Sequence, residues 1–233
     1  MKTLYVIPAR GGSKGIPHKN IRKLGGIPLI CHSVNTAREL ADDADICVST
    51  DDPEIAAVVE EMGLKVPFMR PAELATDKSG TYEVLLHAVD SYHRAGIDYD
   101  TLVLLQPTSP FRTAEDVRRA LKLYTPDIDM VVTVKEASSN PYYNCYEPDS
   151  NGFLRISKGD GNYTRRQDAP KVWEYNGAVY VINIASLLKM PLNRFTKRVM
   201  CEMDASRSLD LDTEIDWLVA EKLYEDLASP DKY

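Results

Sequence analysis

Leu4-Tyr5-Val6-Ile7-Pro8-Ala9-Arg10-Gly11-Gly12-Ser13-Lys14-Gly15-Ile16-Pro17-His18-Lys19-Asn20 is the stretch on which the fold reading turns. A short apolar run stops abruptly at Pro8, and Gly11, Gly12 and Gly15 follow with Arg10, Lys14 and Lys19 among them. An apolar run of this length ahead of a glycine-rich loop reads as a buried strand feeding a turn. Glycines let the backbone aim its N–H groups at an oxyanion, and the cations add charge that backbone dipoles cannot supply. The pattern suits a nucleotide polyphosphate. It has neither the G-x-x-x-x-G-K-[ST] nor the G-x-G-x-x-G spacing.

Outward from this loop, strand and helix patterns alternate. Strands are expected over residues 4–7, 45–49, 65–69, 101–105, 129–134 and 175–182. Helices are expected over residues 28–40, 53–62, 81–94, 113–124 and 213–227. Thr113 and Asp116 have capping-box spacing, and Asp212 is the expected N-cap of the last helix, with Ile215, Leu218, Val219 and Leu223 as its inward stripe. Continuous apolar strands between helices predict an α/β fold with a mostly parallel, doubly wound, Rossmann-like sheet covered on both faces. Residues 1–233 form one domain in this reading. Residues 137–174 are rich in turn signals and tyrosines, and they read as an inserted β-hairpin element that either serves as a subunit contact or lies across its own active site. The tail, residues 229–233, reads as frayed.

In such sheets ligands bind beyond the carboxyl ends of the strands. Polar clusters follow four successive expected strands: the Arg10–Asn20 loop, Ser49-Thr50-Asp51-Asp52, Arg70-Pro71, and Gln106-Pro107-Thr108-Ser109-Pro110 with Arg112. Far downstream, Asp210-Leu211-Asp212 places two carboxylates two residues apart, a spacing that suits a hard divalent ion shared with phosphate oxygens. Thr164-Arg165-Arg166-Gln167 could receive a substrate carboxylate, or form an ordinary surface ion pair. No Ser-His-Asp set or reactive cysteine stands out, which argues against covalent catalysis.

Composition narrows the classes. The net charge of -7 excludes nucleic acid as the main partner. No apolar run is long enough for a membrane span, and Arg10 arrives too early for a signal peptide. Cys31, Cys47, Cys145 and Cys201 have no paired spacing and read as reduced thiols of a cytoplasmic protein. His18, His32, His87 and His93 form no metal-ligand pattern.

The motifs, in order, resemble those of the CMP-sugar-acid synthetases, in the acylneuraminate cytidylyltransferase branch. The segments are residues 7–20, Val48-Ser49-Thr50-Asp51, Arg70-Pro71-Ala72-Glu73-Leu74-Ala75, Leu105-Gln106-Pro107-Thr108-Ser109-Pro110 with Arg112, Asn176-Gly177-Ala178, and Asp210-Leu211-Asp212-Thr213-Glu214. The resemblance implies a nucleotidyltransferase fold and an enzyme that activates a nine-carbon 2-keto sugar acid with CTP, releasing pyrophosphate. It implies CTP binding by Ala9, Arg10, Ser13, Lys14, Asn20, Arg70 and Thr81, and sugar-acid binding by Gln106, Arg166, Asn176 and Tyr180. It implies magnesium at Asp210 and Asp212, catalytic roles for Arg10, Lys14 and Asp210, and a homodimer joined through the hairpin insertion. Glu174 and Tyr175 depart from the arginine and proline of some N-acetylneuraminate enzymes, and residues 140–144 and 166–171 look closer to the legionaminate type. The resemblance therefore implies an N-acylneuraminate, or legionaminate or Kdn, as the acid; the Kdo branch fits less well. A D-x-D glycosyltransferase and a non-catalytic nucleotide-binding module are the rival classes.

Overall fold

The computed structural model describes residues 2–76 and 79–228. The tail over residues 229–233, expected to fray, lies outside them. Along the chain run β1 (Thr3–Pro8), β2 (Lys23–Leu24), β3 (Ile27–Pro28), α1 (Leu29–Arg38), β4 (Ile46–Ser49), α2 (Pro53–Glu61), α3 (Thr81–Arg94) and β5 (Thr101–Leu105). Then follow α4 (Ala114–Leu123), β6 (Met130–Glu136), β7 (Tyr146–Pro148), β8 (Leu154–Ile156), β9 (Trp173–Asn183), α5 (Ile184–Leu187), β10 (Arg198–Glu202) and α6 (Glu214–Ala228). Local signals account for several boundaries. Asp52 accepts from the backbone N–H groups of Glu54 and Ile55 to start α2, and Thr113 with Asp116 closes the expected capping box of α4.

The main sheet has six strands in the order β10-β6-β9-β5-β1-β4. β1 runs parallel to β4 and β5, and β10 runs parallel to β6, while β9 lies antiparallel between β5 and β6. Helices cover both faces. Ile30, Val34, Ile55, Val59 and Val117 pack on one side, and Leu85, Ala88, Ile184 and Leu187 on the other. A third apolar cluster joins Ile16, Leu24, Leu29, Phe111, Leu211, Trp217 and Ala220. It draws residues from the first loop, the loop after β5 and α6, so it sits where those three meet.

The structure departs from the sequence reading at four points. Residues 65–69 form no strand. Only a single parallel bridge, Thr50 to Met69, survives there, because Pro67 withholds a ladder donor. The edge strand β10 was not anticipated; its alternation of exposed and covered residues over Arg198–Glu202 is too short to register. The last helix is rotated from the expected face. Of the expected stripe Leu223 packs inward, but Ile215, Leu218 and Val219 are 73%, 64% and 45% exposed, whereas Trp217 and Ala220 are fully buried. Burying an indole outweighs burying smaller aliphatic chains. The Trp217 Nε1–H donates to Glu221 at 3.0 Å and Arg22 stacks on the ring at 4.3 Å, so the rotation is held at its edge and its face. Thr213, not Asp212, starts this helix. Its backbone N–H and hydroxyl donate to the Asp216 carboxylate (2.7 and 2.8 Å), and its Oγ1 accepts from the Asp216 N–H (3.3 Å). The Asp212 carboxylate is thereby released from capping.

The insertion over residues 137–174 contains the β7–β8 hairpin. It springs from a two-stranded ribbon in which Glu136 faces Trp173 and Lys135 faces Glu174.

Candidate active site

The first loop leaves β1 at its carboxyl end and is pinned from several sides. The Ala9 N–H continues the ladder to the Ser49 carbonyl (2.9 Å), the Gly11 N–H donates to Asp51 Oδ1 (3.3 Å), and the Asn20 amide donates to the Arg10 carbonyl (3.0 Å). Asp51 also receives Arg70 Nη2 at 3.4 Å, so one carboxylate orients the loop and the arginine beside it.

The Asp210–Asp212 segment comes to the same rim. The Leu211 N–H donates to the Thr108 carbonyl at 2.9 Å, which ties the segment to the loop after β5. Lys19 Nζ donates to the Leu211 carbonyl at 2.6 Å and to Asp212 Oδ1 at 3.3 Å, which ties it to the first loop. The contact between these backbones is so close that a β-carbon on Gly15 would overlap the Asp212 carbonyl oxygen. Opposite charges separated by almost two hundred residues therefore share one cleft.

That cleft has two lobes with Pro8 and Arg10 common to both. One, of about 230 Å3, is lined by Arg10, Ser13, Lys14, Lys19, Gln106, Thr108 and Asp212. The other, of about 290 Å3, is lined by Arg10, Arg70, Thr76, Ser79, Thr81 and Val84. Arg10 Nη1 donates to the Thr76 carbonyl at 3.2 Å across the boundary. The N-terminus of α3 opens into the second lobe, and no side chain caps it. Arg70 is 6% exposed, and its buried Nε has no hydrogen-bond partner among the described residues. Burial lowers its pKa, against the pull of Asp51. Larger clefts lie elsewhere, at the amino ends of the strands: one of about 520 Å3 carries Tyr99, Thr101, Tyr124 and Leu188, and one of about 580 Å3 carries Lys2, Arg38, Glu39, Asp42 and Asp45. Neither adjoins a glycine-rich loop at the carboxyl ends of the strands, where ligands of such sheets bind.

The expected residues divide into two groups. Arg10, Ser13, Lys14, Asn20, Gln106 and Asp212 line the first lobe, and Arg70 and Thr81 the second. Ala9 is buried and contributes backbone only. Tyr180 lies beside Gln106 and near Asp210. Burial, then the Asp210 charge, raises its pKa. Asp210 is itself held above the usual carboxylate range by burial, opposed by the neighbouring Thr108 hydroxyl, with the Asp212 charge adding to the rise. Gly177 has φ +74°, and its missing β-carbon would stand 3.4 Å from Asp210 Oδ2, so glycine meets both a backbone and a space requirement.

Asn176 and Arg166 do not present free groups here. The Asn176 amide is turned inward: it donates to Ser208 Oγ (2.9 Å), and its oxygen accepts from Thr133 Oγ1 (2.7 Å) and the Ala178 N–H (3.1 Å). It shapes the β9 bulge rather than the open lobe. Arg166 is exposed on the insertion and donates to the Ala137 carbonyl at 2.5 Å, away from both lobes. Asp51 and Lys19 organise the site more than their sequence context suggested. The sequence did mark Lys19 as a cation of the glycine loop and Asp51 within the second motif, but not as the groups that hold the loop in place.

Two carboxylates fit a hard divalent ion that takes its remaining ligands from water and phosphate. Asp212 is 72% exposed at its side chain and Asp210 is close enough to feel its charge. No cluster of three or more His, Cys, Asp or Glu side chains gathers among the described residues, so a closed all-protein metal cage is not built here.

The cytidylyltransferase family profile matches residues 4–227. CMP-N,N'-diacetyllegionaminic acid synthase of Legionella pneumophila is 35% identical over 97% of this chain and 97% of that protein. N-acylneuraminate cytidylyltransferase of Streptococcus agalactiae serotype V is 35% identical over the whole of this chain, which spans 56% of that longer protein. The structure of CMP:2-keto-3-deoxy-manno-octonic acid synthetase complexed with CTP superposes with a TM-score of 0.69 over 99% of this chain at 21% identity, a likeness of fold. With a matching profile along nearly its full length and relatives of like extent, the chain belongs to the cytidylyltransferase family.

Proposed function

We propose that the protein joins CMP from CTP to a nine-carbon 2-keto sugar acid, an N-acylneuraminate or a related nonulosonate, and releases pyrophosphate. The observation that carries this reading is the Lys19 junction. It sets a cationic glycine loop against Asp210 and Asp212 across one cleft, with a lobe sized for a base adjoining. The names of the relatives supply the acid class.

In this reading the sugar acid's anomeric hydroxyl oxygen attacks the α-phosphorus in line, and the bond to the pyrophosphate oxygen breaks. Such transfers ask the protein mainly for positioning and charge stabilisation. Arg10 and Lys14 face the departing pyrophosphate, with Ser13 and the loop N–H groups as further donors. Asn20 holds the Arg10 carbonyl and so the loop's shape. Arg70 and Thr81 hold the cytidine. Gln106 and Tyr180 lie toward the acid. Asp210 and Asp212 would hold magnesium, which when bound neutralises phosphate charge.

The insertion is proposed as a homodimer contact. Tyr146, Phe153 and Leu154 on its hairpin are 55%, 64% and 66% exposed, an apolar surface of the kind that marks association. Arg166 is carried on this element, and its role toward the acid depends on how the insertion is placed in the assembly. Three of the four free cysteines are buried, which supports a cytoplasmic setting. No described helix is long and apolar enough to cross a membrane.

A coupled pyrophosphate-release assay tests the reading. CTP, ATP, GTP and UTP are crossed with diacetyllegionaminic acid, N-acetylneuraminic acid, Kdn and Kdo. Release is expected with CTP and at least one nine-carbon acid, at least tenfold faster in kcat/KM than with any other nucleotide. Silence with every acid would overturn it.

A further inference from the structure

Arg112 follows the loop after β5, where the sequence suggests a cation at the ligand rim. The structure turns it the other way. It is 3% exposed and lines neither lobe of the cleft. Its Nη1 donates to the Gln106 carbonyl and to the Ala178 carbonyl, both at 2.9 Å, and its Nη2 donates to Ser33 Oγ at 2.5 Å. One guanidinium thus joins the loop after β5, the bulge of β9 and helix α1. The Gln106 side chain lines the cleft. Ala178 follows Gly177, which packs against Asp210. The two carbonyls therefore belong to two backbone segments that flank Tyr180 and Asp210: Tyr180 lies beside Gln106 and feels the Asp210 charge, and Gly177 packs on Asp210.

The guanidinium has no carboxylate within 4 Å among the described residues. The nearest acid acting on it, Asp116, is already held by Arg207 in a two-pronged pair at 3.1 Å. Burial brings the Arg112 pKa down to about 10. Burying an unpaired cation is unfavourable, and an apolar side chain of similar volume would serve packing better. What only an arginine supplies here is a rigid planar fork that reaches three acceptors at once.

We infer that Arg112 is a positioning residue for the sugar-acid half of the cleft: it holds the Gln106 wall and the Gly177–Ala178 wall at a set separation, beside Asp210. This rests on the proposed function, because it assigns an acid to that half. It also predicts a division of labour. The elements proposed to hold CTP, namely the first loop and Arg70, receive no hydrogen bond from Arg112.

The test compares Arg112→Met and Arg112→Lys with the wild type in three measurements: CTP binding by calorimetry without acid, steady-state kinetics with the best acid of the panel, and thermal unfolding. Both variants are expected to bind CTP within threefold of the wild type. KM for the acid is expected to rise at least tenfold and kcat to fall at least tenfold, with Arg112→Lys the milder because it keeps the charge and one or two of the bonds. Should Arg112→Met fail to fold, Arg112→Lys and Ser33→Ala carry the test, the latter with a smaller rise in acid KM. A folded variant with acid KM and kcat within threefold of the wild type overturns the inference. So does an equal loss of CTP affinity and acid KM alongside a lowered melting temperature, which is the signature of general loosening. A wild type inactive on every acid defeats the functional reading itself and takes this inference with it.

Discussion

Lys19 spends its charge on the protein: its ammonium is tied to the Leu211 carbonyl and Asp212, and its role is to bring Asp210–Asp212 up to the glycine loop. Lys14 lines the same lobe and is the lysine assigned to the pyrophosphate. Lys14→Ala is expected to lower kcat/KM at least tenfold, about 1.4 kcal/mol of transition-state stabilisation. The pyrophosphate assay checks it, and near-normal turnover would remove Lys14 from the chemistry. Asp210→Asn is expected to raise the magnesium concentration needed for half-maximal rate at least fivefold, read from a magnesium titration. An unchanged titration places the ion elsewhere. At this scale the sequence was informative wherever chemistry required a rare combination: glycines with cations, or acids two residues apart. It was silent on direction. Nothing in Asn176 or Arg112 told that their side chains turn inward, because the β9 bulge and the contact with α1 that turn them are tertiary features.

Among the elements, helices α1 to α4 and strands β1, β4, β5, β6 and β9 follow their periodicity closely. What the pattern could not reach was set by long-range contacts. Strand β10 exists because β6 offers it an edge, and α6 is rotated because Trp217 finds a pocket between Arg22 and the third apolar cluster. The capping box of α4 was legible, but its reinforcement was not. Arg207, from far along the chain, grips the same Asp116 carboxylate at 3.1 Å through two nitrogens. Burial pushes that carboxyl up, but Arg207 and the Thr113 N–H and hydroxyl together hold it below its usual 3.8. A carboxylate depressed on folding stabilises above its unfolded pKa, and that stability is lost as pH falls through the lower folded value. Asp116→Asn is therefore expected to cost about 2 kcal/mol at neutral pH, roughly 4 to 8 °C of melting temperature for a chain of this size. The gap between variant and wild type should narrow as pH drops below about 4. Melting curves from pH 7 to pH 3 check this, and a gap of constant size would show that charge is not its source.

For the whole molecule, the expected gathering of polar strand ends at one rim is met: the first loop, Thr50-Asp51, Arg70 and Gln106–Thr108 all reach it. The third apolar cluster seals that rim from beneath by joining Ile16, Phe111, Leu211 and Trp217, so the site's two halves share one small core. Assembly is the next level. Sedimentation at micromolar concentration is expected to give a dimer, and Phe153→Asp with Leu154→Asp is expected to shift it to a monomer with the CTP lobe still able to bind. A monomeric wild type would leave the exposed hairpin without the proposed purpose.

Strand β9 runs against its neighbours, and this has a mechanical result. The insertion returns through Trp173 and Glu174 straight into the bulge at Asn176–Ala178, with no loop between. The insertion as a whole is therefore joined by covalent backbone to the wall beside Asp210, while the glycine loop on β1, two strands away, meets that wall only through non-covalent contacts: Lys19 on Leu211 and Asp212, and Gly15 against Asp212. The insertion is a handle whose covalent attachment is to one jaw of the cleft and not to the other.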